Sequence, residues 1–313
     1  MSGGTLSEEV IEIARTHAHD HYLSALLAPA AARADLLVLA AFEGELARIP
    51  ASVTEPMMGE IRLQWWRDQI EDMAPGRVSG HPVADALVDV VSRHGLSRDQ
   101  IQASIDARSA ELGIDDIANL ADLQRFCDAA DGAAFARRAH VLSAGSETAA
   151  VEREPVTPRE LISAAGRASG AVRLARAVAC RRRLKPMISV SVWTGGPAVA
   201  TARISDYIVP RQDPLDGDAT AARDDVKSGQ PPTDGGAGPA PLLRFAADWL
   251  AVARTASRRS ERTDRLAVLP VALVGPYLRA LQGSRQMPQG EADLISPLGR
   301  IVRLWWAART GRY

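Results

Sequence analysis

The chain has 313 residues, 46% of them hydrophobic and 24% charged, a balance that excludes a disordered polymer and leaves room for one large core or two domains of about 150 residues. Its 37 Lys and Arg against 38 Asp and Glu leave a net charge of -1, so no global field draws it to nucleic acid or anionic lipid, and any such contact must be local. Two cysteines, Cys127 and Cys180, exclude a disulfide scaffold and suit a reducing compartment.

Only 4% of the residues are aromatic, while Ala, Leu and Arg abound. Intrinsic propensity therefore favours helices, and the expected fold class is all-α. Ser7-Glu8-Glu9 opens a helical pattern through Val10, Ile13, Ala14 and His17, expected to run to about Leu27, with early acids at the positive end of the helix dipole. After Pro29, an apolar segment from Ala34 to Leu46 reads as a buried helix that ends before Pro50. Between Glu60 and Met73, Ile61, Leu63, Trp65, Trp66 and Ile70 lie among charged residues, so an amphipathic helix is expected with its Trp pair buried on the core side. His81-Pro82 begins the next helix, Gly95 ends it, and Ser97 caps another through Leu112.

Leu120 to Ala144 is long enough to cross a domain, and Thr157-Pro158-Arg159-Glu160 has helix-start spacing ahead of Leu161 to Cys180. From Lys185 to about Gly238 leucine nearly vanishes and Gly and Pro cluster, so 185–238 reads as an irregular loop or disordered insertion. Helical pattern resumes over Leu242–Arg258, Ala267–Leu281 and Ile295–Ala308. No repeat divides the chain, so residues 1–313 are read as one helical domain. A signal-peptide pattern and a run of about 18 apolar residues are both absent from the sequence, and a cytoplasmic location is expected.

Several clusters bear on chemistry. His17 and His21 stand four apart with Asp20 between them, a spacing that suits two zinc ligands, yet no further ligands are apparent and a solvated helix edge is the plainer reading. Asp68 with Asp72 and Asp85 with Asp89 have the one-turn spacing by which paired carboxylates hold Mg²⁺ on a diphosphate; the first pair sits on a polar face where charge serves solubility. Asp128 and Asp131, inside a helix, call for a cavity or a neighbouring Arg. Gly132 and Gly170 permit a close helix approach or a ligand against backbone. Arg173 and Arg176, with Arg181, Arg182 and Arg183, make a basic helix end that suits the dipole or an anionic ligand. The last helix, with Arg300, Arg303, Arg309 and Arg312 around Trp305 and Trp306, is expected to close the bundle rather than dock on a membrane. P-loop, GxGxxG, GxSxG and HExxH patterns are missing, so nucleotide binding and the familiar hydrolase chemistries lack support.

Asp20-His21-Tyr22-Leu23 with Leu26-Leu27-Ala28-Pro29, the Leu39–Ile49 helix, the run from Glu55-Pro56-Met57-Met58-Gly59 to Trp65-Trp66-Arg67-Asp68, His81-Pro82-Val83-Ala84, Phe126-Cys127 before Gly132, and the Gly166–Arg176 helix belong together. Over roughly residues 15–184 and again from about 240 they resemble the squalene/phytoene synthase family. The resemblance implies a single isoprenoid-synthase-type helical bundle with a central cavity. In active members two aspartate-rich motifs on facing helices hold Mg²⁺ against prenyl diphosphates.

Here Ala47, Arg48 and Ala51 stand where the first motif has aspartates, and Ala177 and Arg181 where the second has them, with Arg173 at a usual Asn. Alanine cannot ligate Mg²⁺ and arginine repels it. No catalytic residue, metal ligand or cofactor is assigned, and Arg173, Arg176, Phe126 and Gly132 are the candidate binding residues. Ser52-Val53-Thr54-Glu55-Pro56 leading into Ile61-Arg62-Leu63-Gln64-Trp65-Trp66-Arg67 is similar to the branch that resembles mitochondrial assembly factors of respiratory complex I. The implied function is a non-catalytic assembly or scaffolding factor for a respiratory membrane complex. Its partners would be subunits of that complex, with peripheral contact at the inner membrane and no nucleic acid. The alternative is a Mg-dependent prenyltransferase of isoprenoid biosynthesis, taking Mg as cofactor and a prenyl diphosphate or lipid as ligand. After Arg183-Leu184 the family's Leu-Pro turn and apolar helix give way to Lys185-Pro186 and Gly/Pro/Asp-rich sequence, as a genuine loop or a compensated reading-frame error in GC-rich DNA would produce.

Overall fold

A computed structural model describes residues 6–72, 74, 78–113, 116–117, 119–144, 159–179, 187–189, 201–203, 241–283 and 294–313. The helices are α1 (Glu8–His17), α2 (His19–Leu26), α3 (Ala30–Ser52), α4 (Pro56–Glu71), α5 (Pro82–His94), α6 (Arg98–Glu111), α7 (Leu120–Cys127), α8 (Ala133–Ala144), α9 (Arg159–Ala179), α10 (Pro241–Ser257), α11 (Arg262–Ala267), α12 (Val274–Gly283) and α13 (Pro297–Thr310). A π-helical turn, Asp128–Gly132, joins α7 to α8, and a 3-10 turn, Leu269–Leu273, leads into α12. The all-α class expected from composition is the class observed. Three short strands form a small sheet, β1 (Asp116–Ile117) parallel to β2 (Met187–Ser189) and β2 antiparallel to β3 (Thr201–Arg203). The last two are the described part of 185–238; the remainder of that stretch, with Thr157-Pro158 and Cys180 to Arg183, lies outside the described residues.

Local chemistry sets most boundaries. The hydroxyls of Ser7, Ser97 and Ser296 accept from Val10 N, Gln100 N and Gly299 N, satisfying first-turn amides that have no partner within the helix. Pro82 begins α5, and Gly95 ends it at φ 62°, a conformation open to a residue without Cβ.

Three expectations are corrected. The first helix stops at Ala18 (φ -135°, ψ 47°), so His17 and His21 belong to different helices. The bend lies against α3 where that helix lacks a side chain: a Cβ on Gly44 would stand 3.1 Å from His17 Cβ and 3.4 Å from Ala18 Cβ. Second, α3 runs through Pro50 to Ser52. Proline's missing N–H falls in the last turn, where it removes one bond without breaking the packed helix, and Ile49 and Pro50 stay buried. Third, Trp66 is buried but Trp65 only partly so, because the two point to adjacent faces of α4; Trp66 meets Phe42 edge-on at 5.3 Å.

The hydrophobic core is centred on α3, where Leu36, Phe42 and Leu46 are inaccessible to solvent, and on α9, where Leu161, Ala168 and Leu174 are equally so. Helix α9 lies against the π turn and α10, and α13 covers the 3-10 turn through Leu304 and Ala307. This arrangement leaves an interior space between α2, α3, α6, α9 and α12.

Candidate functional site: an arginine-lined cavity

The interior space is a cavity of about 120 Å³, walled by residues from both ends of the chain, among them Asp20, Glu43, Asp131, Arg173, Tyr277 and Arg300. Its walls hold an alternating chain of acids and guanidiniums. Glu43, on α3, accepts from Arg137 of α8 at 2.6 Å and from Arg108 of α6 at 2.9 Å. Arg108 also donates to Glu111 at 2.7 Å, Glu111 accepts from Arg173, and Arg173 reaches Asp131 on the π turn at 2.6 Å. Glu43, Arg108, Glu111, Asp131 and Arg137 are all buried. Charges removed from water to this extent are tolerable only when each is paired and hydrogen-bonded.

The opposite wall is built around Asp20 at the start of α2. Tyr277 of α12 donates its hydroxyl to Asp20 Oδ2 at 2.7 Å, and Arg176 and Arg300 each stand 3.6 Å from an Asp20 oxygen. Both guanidiniums also lie over the Tyr277 ring, at 4.1 and 5.7 Å from its centre, where the ring's negative face favours a cation. The hydroxyl of Ser169 and the Nε of Arg108, both on residues that line the cavity, are buried with no hydrogen-bond partner among the described residues.

The field inside is uneven. Burial works against ionisation of Glu43, but Arg137 and Arg108 outweigh it and hold the carboxyl below its ordinary range. For Arg173 burial opposes the charge, and Asp131 with Glu111 reverses that and raises its pKa. His21 is pushed down to about 4, chiefly by burial and next by Arg138, so it is neutral at pH 7. Arg138 is buried with the neutral acceptors Ala267 O at 2.9 Å and Ser24 Oγ at 3.0 Å, and burial lowers it to about 10. Burial also raises the Tyr277 phenol and the Cys127 thiol.

Of the sequence-based candidates, Arg173 and Arg176 lie on the cavity wall. Phe126 is buried beneath Arg173, whose guanidinium is 5.5 Å from its ring centre. Gly132 is packed against Gly166 of α9. Asp131 faces the cavity, and Asp128 pairs instead with Arg167 at 2.7 Å. Asp68, Asp72 and Asp89 are exposed on outer helix faces, and Asp85 accepts from Ser79. Sequence reasoning missed Glu43, Arg108, Tyr277 and Arg300. One signal could have found Glu43: it is an acid inside the apolar run Leu36–Leu46 that a surface helix would not need.

The chain is thus a helical bundle around a cavity lined by charged residues from α2, α3 and α9, and its sequence matches a known family. A family model described as squalene/phytoene synthase matches residues 14–187, and the chain belongs to that family. Its sequence is also similar to proteins named "NADH dehydrogenase (ubiquinone) complex I, assembly factor 6": 31% identical over 118 residues to that of Homo sapiens and 32% over 118 to that of Bos taurus. Each match covers 38% of this chain and 35% of the relative, so the chain spans about a third of the relatives it matches. A crystal structure of a dehydrosqualene synthase superposes with a TM-score of 0.56 over 97% of this chain and 95% of that one, at 14% identity, which shows a shared fold.

The family implies Mg²⁺, and the residues present do not fit it. Mg²⁺ needs oxygen ligands free to turn toward it, whereas Asp20, Glu43 and Asp131 are each engaged by guanidiniums. Ala47 lies on the wall, Arg48 points outward and pairs with Glu45 at 3.0 Å, and Ala177 is buried. Among the described residues, no group of three or more His, Cys, Asp or Glu is placed to hold a metal ion.

Proposed function

We propose that the protein is a non-catalytic assembly or scaffolding factor for a respiratory membrane complex; its sequence relatives are named as assembly factors of NADH dehydrogenase (ubiquinone) complex I. The observation that carries the reading is the state of the cavity acids. Ionising a prenyl diphosphate requires carboxylates that deliver Mg²⁺ to the leaving group, and in this cavity the same type of side chain is neutralised internally by Arg108, Arg137 and Arg173. The charge network then stabilises a framework rather than a transition state. Helix α4 supplies a surface for a protein partner, since Met57, Met58 and Ile61 project into solvent on a face away from the buried Trp66.

The competing reading, a Mg-dependent prenyltransferase, is favoured by the family match and by a cavity in which Arg173 and Arg176 would receive an anionic group. Purified protein incubated with Mg²⁺ and labelled farnesyl or geranylgeranyl diphosphate separates the two. The scaffold reading expects no turnover and co-purification of complex I subunits from detergent-solubilised membranes. Turnover abolished by EDTA overturns it.

A further inference from the structure

Helix α13 has two apolar faces, and the bundle uses one. Leu304 and Ala307, with Arg300, face inward onto the 3-10 turn and the cavity. At 100° per residue, Leu298, Ile301, Val302, Trp305 and Trp306 fall together on the opposite side. All five are exposed, Leu298 at 71%, Trp305 at 51% and Trp306 at 55%. Five large apolar side chains on one outward helix face exceed the scattered exposure normal for a soluble surface.

The exposed charges of this helix and its end carry one sign: Arg309 and Arg312 are exposed, Arg303 is half-buried and donates to Ala272 O at 3.2 Å, Arg300 faces the cavity, and residues 297–313 contain no Asp or Glu. The exposed Arg309 lies 5.9 Å from the Trp305 ring centre, at the edge of the apolar strip. Behind the helix, Arg254 has its pKa lowered first by burial and then by Arg303 and Arg279, so further positive charge backs the same region. Within residues 297–313 the apolar strip is accompanied by arginine and by no carboxylate, which complements a surface that is negative outside and apolar beneath, the cross-section of an anionic bilayer leaflet.

Length and anchoring agree. Fourteen residues give a helix about 21 Å long, short of the roughly 20 residues a span requires, so it would lie in the plane of the interface with indole rings at headgroup depth. Its pose on the body is fixed by Ser296 at one end and Gly311, at φ 67°, at the other. Tyr313, just beyond, is buried and donates to Arg265 O.

We propose that the outward face of α13, centred on Trp305 and Trp306, docks the protein onto the surface of an anionic lipid bilayer. This stands apart from the assembly-factor reading: lipid docking can fail while complex subunits still co-purify, and the reverse.

The test is co-sedimentation of the full chain with phosphatidylcholine vesicles and with mixed phosphatidylcholine–phosphatidylglycerol vesicles, run beside a Trp305→Ser/Trp306→Ser double variant and Arg309→Gln. Wild type is expected to bind the mixed vesicles and to be released by salt. The double variant should bind about tenfold more weakly or less, and Arg309→Gln about fivefold more weakly, with melting curves unchanged because the altered side chains are exposed. Failure of wild type to bind the mixed vesicles overturns the proposal, as does undiminished binding by the double variant. A dimer in sedimentation velocity that the double variant dissolves, without vesicle binding, assigns the face to a second copy and also overturns it.

Discussion

Gly132 and Gly166 meet backbone to backbone: a Cβ on Gly166 would stand 2.5 Å from the Gly132 Cα and 2.6 Å from its nitrogen. No side chain fits between α9 and the π turn at this point, and the closeness brings Asp131 within reach of Arg173 and Asp128 within reach of Arg167. The contact is asymmetric. A Cβ on Gly132 would find nothing nearer than 3.6 Å.

The asymmetry makes a paired test. Gly166→Ala must push backbone away from backbone, and we expect a loss of about 2–3 kcal/mol in chemical denaturation. Gly132→Ala should fall within about 1 kcal/mol of wild type, its ordinary contacts being offset by a better helix propensity. Equal losses in the two variants would show that the helices separate freely.

Glu43 is the hub between Arg108 and Arg137. Glu43→Gln keeps the shape and removes the charge, leaving the buried Arg137 without a carboxylate and Arg108 with Glu111 alone. The expected cost is about 3–5 kcal/mol. Replacing Glu43, Arg108 and Arg137 together with apolar residues of similar volume should recover much of it, which a set of single and combined variants would measure by denaturant midpoint.

Acid should destabilise the fold in two stages. His21, at about 4 when folded against 6.5 when free, binds its proton more readily in the unfolded chain, so stability falls as pH drops from about 6.5 to 4, by roughly 3 kcal/mol in all. Glu43, held below its reference value of 4.5, contributes stability that is present above that value and is lost as pH falls through its folded pKa. His21→Gln should flatten the first stage and leave the second, as read from denaturation midpoints across the pH series.

The tryptophan pair should divide. Trp66 is buried against Phe42 and His81, and Trp66→Ala is expected to cost about 3–5 kcal/mol. Trp65, partly exposed beside His81, should cost less than half of that in the same thermal melts.

Cys127 is buried and its thiol is raised by desolvation and by Asp131. Because the thiolate is the reactive form, peptide mapping after iodoacetamide treatment should find Cys127 unmodified in the native protein and modified after unfolding.

Much of the helical architecture was legible in the sequence, since caps and breakers act over a few residues: Ser7, Pro82, Gly95 and Ser97 set boundaries where the residue types place them. The break at Ala18 was not legible, because no breaker residue stands there and the close approach at the bend is to Gly44 of a different helix. Pro50 was misread for a related reason, as packing of Ile49 against the core overrides a local breaker. In the cavity, Arg173, Arg176 and Asp131 stand out as charges in odd places. Their partners do not, because Glu43 and Arg137 lie 94 residues apart and Asp20 and Tyr277 lie 257 apart, and no local pattern reports such a pairing. The sequence suggested that Asp128 and Asp131 would find arginines, and they do so on α9 rather than on their own helix.

The π turn spends five residues, Asp128–Gly132, where an α-helix would advance with fewer per turn. A π turn holds about one residue more than the α-helical turn it replaces, so losing one residue there can be absorbed as regular α-helix with α8 still facing the same way. A deletion just beyond it, at the start of α8, has no such slack: everything downstream rotates by about 100°, and Arg137 swings off Glu43 and Arg138 off Ser24 at one stroke.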